Sequence, residues 1–110
     1  MSSTAARPSW GGRLLLTPGL VLYLGVGGTA DRHAHHAVQF VWVSGGTADV
    51  MLADRRVQVG ATLVPARVDH AFEAHGRPLA LLLVDGHGAR GSELDRRARE
   101  LAGEDLSARL

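Results

Sequence analysis

The chain has no cysteine among its 110 residues, and no lysine: its twelve basic residues are all arginine, set against eleven acids for a formal charge of +1. The missing cysteine excludes disulfides, thiolate metal sites and cysteine nucleophiles, and leaves the redox compartment unmarked. The near-zero charge gives no broad electrostatic case for nucleic acid or for a charged membrane. Long apolar runs are also missing. The best candidate, RLLLTPGLVLYLGV from Arg13 to Val26, is divided by Thr17, Pro18 and Gly19 and falls short of a membrane span or a signal peptide. A cytoplasmic protein with no membrane partner is the expectation. The length fits one domain able to bury roughly two thirds of its unfolded surface, with no room for a second.

Residues 1–12, MSSTAARPSWGG, are small, polar and turn-prone and read as a loose arm, with Trp10 able to pin it. From Leu14 the pattern becomes short apolar runs parted by Gly, Pro, Asp and Thr: residues 14–16, 20–26, 36–43, 48–52, 56–59, 62–65, 70–74 and 79–84. Eight such runs, with a turn signal every 8 to 12 residues or so, predict an all-β sandwich or barrel over residues 13–88. The segment 89–110 breaks the pattern. GSELDRRARELAG, from Gly91 to Gly103, puts Leu94, Ala98 and Leu101 on one helical face. Ser92 and Asp95 have capping-box spacing, and Gly103 suits a C-cap. Glu93 with Arg97 and Asp95 with Arg99 are i, i+4 pairs, so the arginines are matched on a solvated face rather than presented to DNA.

Three of the six histidines fall in GGTADRHAHHAVQFVW, Gly27 to Trp42. The preceding Gly25-Val26-Gly27-Gly28-Thr29-Ala30 fits a dinucleotide fingerprint, but that motif needs a helix next, and a crossover helix does not fit before the strand-like VQFVWV. The glycines read as a turn. Alternation along one strand sets His33, His35, Gln39 and Val41 on one face and His36, Val38, Phe40 and Trp42 on the other.

At these residues the chain resembles the cupins. Gly27, His33, His35, Gln39 and Gly46 match the spacing of the first cupin motif, with glutamine where the family has glutamate. Gly60, Pro65, Arg67 and His70 resemble the second motif. It departs there by a gap one residue short, by Arg67 in place of a glycine, and by Ala74 in place of the final asparagine. A narrower resemblance, carried by His35-His36-Ala37-Val38-Gln39, ATLVPARVDHAF and the strand-to-helix segment from Leu79, is to the N-terminal cupin-like sensor domain of AraC-type transcription regulators. With the sequence running to Leu110, the resemblance implies the sensor half of such regulators and not their helix-turn-helix half. The resemblance implies a jelly-roll barrel of about eight strands with a C-terminal helix.

His33, His35 and His70, with Gln39, form the candidate metal set, for Zn, Fe, Ni, Cu or Mn. The amide of Gln39 is a weaker donor than a carboxylate and supplies no charge. The competing reading has the histidines hydrogen-bonding one another or a ligand at the mouth of a pocket lined by Val41, Arg67 and Phe72. His36, His75 and His87 read as surface or loop residues. Val38, Phe40 and Trp42 form an apolar outer face that the C-terminal helix and a second copy in a homodimer would cover. Two functions stand: a small-molecule sensor or binding module, without direct nucleic-acid contact, and a small metal-dependent enzyme, a dioxygenase or isomerase, using the three histidines.

Overall fold

A computed structural model describes residues 11–33 and 36–109, with the backbone alone for residues 29–33 and 109. Among the described residues nine strands precede one α-helix: β1 Gly11–Thr17, β2 Leu20–Val26, β3 Thr29–His33, β4 Ala37–Val43, β5 Ala48–Leu52, β6 Arg55–Val59, β7 Ala61–Val64, β8 His70–Glu73, β9 Pro78–Asp85 and α1 Gly88–Glu100. The strands form two antiparallel sheets, one in the order β1-β2-β9-β4-β7 and one in the order β3-β8-β5-β6. This is a jelly-roll. All eight apolar runs become strands, and the ninth, β3, lies in the polar stretch TADRH, which carries no apolar signal.

The two sheets enclose the core. Val41 and Val43 from β4, Val50 and Leu52 from β5, Val59, Val64, Phe72 and Leu79 meet between them, all buried. The period of two explains the selection: Asp49 and Met51 on β5 alternate with inward Ala48, Val50 and Leu52. Gly27, the first glycine of the histidine motif, is a packing requirement. A Cβ there would stand 2.2 Å from Leu79 and 2.6 Å from Ala74.

The helix begins five residues earlier than the capping signal at Ser92 suggests. Its N-cap is His87, Ser92 lies inside it, and no side chain caps it, so the capping-box reading fails. Asp95 is used elsewhere: its carboxylate accepts the backbone N–H of Ala66 at 2.8 Å and pairs with Arg99 at 3.1 Å. The other expected pair, Glu93 with Arg97, forms at 3.5 Å. Leu94 and Ala98 pack on Val38, Leu63 and Ala66, so α1 covers one corner of the outer face of the five-stranded sheet. No described helix is long and apolar enough to cross a membrane.

Beyond the helix, residues 104–107 are stitched to β7. The Asp105 carboxylate accepts the N–H groups of Ser107, Gly60 and Ala61, Thr62 Oγ1 donates to the Glu104 carbonyl, and the Leu106 N–H donates to the Ala61 carbonyl. The hydrogen bond from Ser107, followed by those from the strand, holds the Asp105 carboxyl below its ordinary value.

Candidate functional site

The stretch read as one strand from His33 to Val43 is two strands in two sheets. His33 ends β3 in the four-stranded sheet, and Ala37 opens β4 in the five-stranded one. The simple alternation of His33, His35 and Gln39 along one face therefore does not apply across residues 34–36. His35 lies outside the described residues. On β4 itself the alternation holds: Gln39, Val41 and Val43 face the core, while Val38, Phe40 and Trp42 face outward.

What gathers the candidate residues is a pair of crossings at one end of the sandwich. The chain changes sheet between His33, which ends β3, and Ala37, which opens β4, and residues 65–69 pass from β7 to β8. Gln39 is the register partner of Val64, the last residue of β7. His33 is the register partner of His70, the first residue of β8. His33, Gln39 and His70 thus belong to the same end of the fold. Asp85, the last residue of β9, joins them as the partner of Ala37.

His70 is 1% exposed and faces the interior with Phe72, while Ala71 and Glu73 alternate outward. Its Nδ1 lies 2.9 Å from the carbonyl oxygen of Val68. A carbonyl only accepts, so Nδ1 carries the proton and the neutral ring keeps its lone pair on Nε2, the tautomer that a metal or a donor ligand would use. Gln39 is 7% exposed and brings a neutral amide to the same interior. Among the described residues no three His, Asp or Glu side chains are grouped to hold a metal. Uncharged imidazole and amide donors suit a borderline ion such as zinc, nickel or copper, and they do not suit a hard ion that needs a carboxylate. Of the residues expected to line a pocket, Val41 and Phe72 are core residues and Arg67 is exposed at the rim.

That rim is a connected set of polar groups. Arg67 donates to Nε2 of His87 at 3.2 Å, which leaves Nδ1–H of His87 to donate to Asp85 Oδ1 at 2.8 Å. The His87 backbone N–H donates to the same oxygen at 3.0 Å, closing an Asx-turn. This backbone bond first, and the ring bond second, hold the Asp85 carboxyl below its ordinary value. His36 lies beside His87 with ring centroids 6.3 Å apart. Arg67 has φ of +62°, a left-handed conformation that only glycine takes without cost. It stands at the position where the resemblance to the second cupin motif expects a glycine, the residue that this φ favours.

A second polar cluster lies on the outer face of the four-stranded sheet, and sequence reading missed it. Asp49 Oδ2 accepts from Arg56 and from Nε2 of His75, each at 3.0 Å. The His75 backbone N–H donates to Glu73 Oε2 at 2.8 Å, and His75 has φ of +57°. Burial pushes the Asp49 carboxyl up, but hydrogen bonds from His75, Arg56 and Gln58 outweigh it and leave the carboxyl below its ordinary value. His75-Gly76 reads as an ordinary turn, and no local pattern places it over a residue 26 positions away. The Asp85-Gly86-His87 turn did carry a signal, since Asp two residues before a donor is the Asx-turn pattern.

No family model matches the sequence, and no curated protein is similar to it in sequence. Its structure is similar to solved ones. A cupin 2 conserved barrel domain protein from Leptotrichia buccalis has a TM-score of 0.56 at 23% identity, over 68% of this chain and 40% of that one. A cupin-2 domain from Rhodospirillum rubrum has a TM-score of 0.55 at 18% identity, over 81% and 68%. An oxalate decarboxylase from Bacillus subtilis has a TM-score of 0.56 at 17% identity, over 92% and 36%. With two antiparallel sheets, a C-terminal helix and these neighbours, the chain has the cupin jelly-roll fold.

Proposed function

We propose that this chain is a small-molecule-binding cupin domain, a sensor module of the kind that AraC-type regulators carry, whose ligand enters at the end of the barrel bounded by His33, Gln39, His70 and Arg67. The observation that carries the reading is the buried Gln39: it puts a neutral donor and acceptor where a metal-dependent cupin would use a carboxylate. Amide and imidazole together recognise a polar ligand by hydrogen bonds. Arg67, kept at a costly φ on the rim, adds a cation suited to a carboxylate on that ligand.

The second reading is a metal-dependent enzyme using His33, His35 and His70, favoured by the Nδ1–H tautomer of His70. A metal bound there would supply Lewis acidity and an open coordination position. In this reading His70 stays oriented by Val68, and Gln39 contributes a neutral donor. Elemental analysis of protein purified without chelators separates the two. The sensor reading expects no stoichiometric metal and a rise in melting temperature with small carboxylic acids. About one metal per chain, lost in His70→Ala, would establish the enzyme reading instead.

A further inference from the structure

A groove of about 320 Å³ lies between the β5–β6 turn, the β7–β8 loop and the C-terminal end of α1. Leu52, Pro65, Val68 and Ala102 give it an apolar floor, and Gln39, Arg67 and His70 take no part in its lining. Its volume falls at the small end of the range for small-molecule sites. The walls are clamped to one another through the β7–β8 loop. Asp95 and Arg99 of α1 both hold Ala66: the carboxylate accepts its N–H and Arg99 Nη2 donates to its carbonyl, each at 2.8 Å. At the other end of the loop the Ala53 N–H, from the β5–β6 turn, donates to the Asp69 carbonyl at 2.9 Å. The groove is therefore formed before any ligand arrives, and little ordering is left for an occupant to impose.

Two guanidinium groups join this floor from different elements. Arg99 donates through Nε to Asp95 and through Nη2 to Ala66, which fixes its plane and leaves Nη1 without a hydrogen bond among the described residues. Arg55 closes the β5–β6 turn as the register partner of Leu52. Its guanidinium reaches Gly103, where a Cβ would stand 2.9 Å from Nη2. Among the described residues Arg55 has no ion-pair or hydrogen-bond partner for that group. An uncompensated cation and a fixed, half-used guanidinium above an apolar floor are the chemistry that recognises a carboxylate on an apolar body. Asp95 already offsets Arg99, and Asp54 belongs to the lining, so the groove suits one negative charge and not two.

We propose that this groove is a binding site for a small amphipathic monocarboxylate. Its carboxylate pairs with Arg55 and with Nη1 of Arg99, and its apolar body covers Leu52, Pro65, Val68 and Ala102. The site is separate from the end of the barrel proposed above to admit a ligand, and it does not depend on that reading.

Titration of the nitrogen-labelled chain with phenylacetate, followed by amide NMR shifts, tests this. Phenylacetate is expected to bind with a dissociation constant of about 1 mM or below and to move the amides of Ala53, Val68 and Ala102. Phenylacetamide keeps the shape and loses the charge, and acetate keeps the charge and loses the apolar body. Each should bind at least ~10-fold more weakly. Arg55→Gln should weaken phenylacetate by about the same factor and leave phenylacetamide unchanged. Arg56→Gln, which removes the neighbouring arginine that bonds Asp49, should bind phenylacetate as the unaltered chain does. The absence of a saturable shift up to about 20 mM phenylacetate overturns the proposal. So does equal binding of phenylacetamide by the unaltered chain, a comparison that needs no variant to fold. Undiminished binding of phenylacetate by Arg55→Gln overturns it as well, and would leave the guanidinium serving the end of α1 alone. Shifts confined to Val41, His70 and Phe72 also overturn it, and would place the acid inside the barrel instead.

Discussion

Nδ1 of His70 donates to the carbonyl oxygen of Val68 at 2.9 Å, fixing the ring of a side chain that is 1% exposed. His70→Ala removes both this bond and the volume of a buried ring. It is expected to cost about 2–4 kcal/mol by urea unfolding. A loss under about 0.5 kcal/mol would show that the ring contributes nothing to the packing of this end of the barrel.

Gln39 can be converted to the residue that the cupin motif carries. Gln39→Glu buries a carboxylate and should lower stability at neutral pH by about 2 kcal/mol without metal. Added manganese or zinc should return much of that loss if His33, His35 and His70 converge on this position. Thermal melts with and without metal read both effects, and a variant that melts like the parent and ignores metal would place residue 39 away from the histidines.

Arg67 sets stability against function. Arg67→Gly relieves a left-handed φ and should raise stability by about 1 kcal/mol, despite losing an exposed contact to His87. Under the sensor reading the same change should weaken binding of carboxylic acids several-fold. Urea midpoints and ligand titrations on one protein preparation would measure the two effects together.

Acid stability follows from Asp49. Its folded pKa lies below the ordinary 3.8, so in acid the unfolded chain binds more protons than the folded one. The contribution is complete above the unfolded value and declines as pH falls through about 4 towards the folded value. Asp49→Asn should flatten that decline and cost about 1–2 kcal/mol at neutral pH, through weaker bonds to Arg56 and His75. Denaturant unfolding at several pH values between about 3 and 7 checks the sign.

Gly91 joins the helix to the barrel. A Cβ there would stand 2.2 Å from the Asp85 carbonyl oxygen, a backbone atom that cannot swing aside. Gly91→Ala should cost about 2 kcal/mol or more and loosen α1 from Val38 and Ala66, in spite of alanine's better helix propensity. An increase in melting temperature would show that the helix does not approach the strand end so closely.

Much of this protein follows from its sequence alone. Period-two alternation set Val41 and Val43 inward and Phe40 and Trp42 outward, because a strand buried on its inner face must keep its register. Leu94 and Ala98, at helical spacing, had to meet an apolar surface, and they meet Val38. Other features required the tertiary structure. The division of the histidine segment between two sheets, with His33 ending β3 and Ala37 opening β4, is marked by no local pattern. The pairing of His33 with His70 and of Gln39 with Val64 is a matter of strand register between segments far apart in the chain. Asp95 became a clip for Ala66 rather than a cap, and Asp49 gained His75, because charged groups bond to whatever donors folding brings within reach. Local propensity fixes which way a side chain points along its own strand, and only the packing of the two sheets decides what it meets.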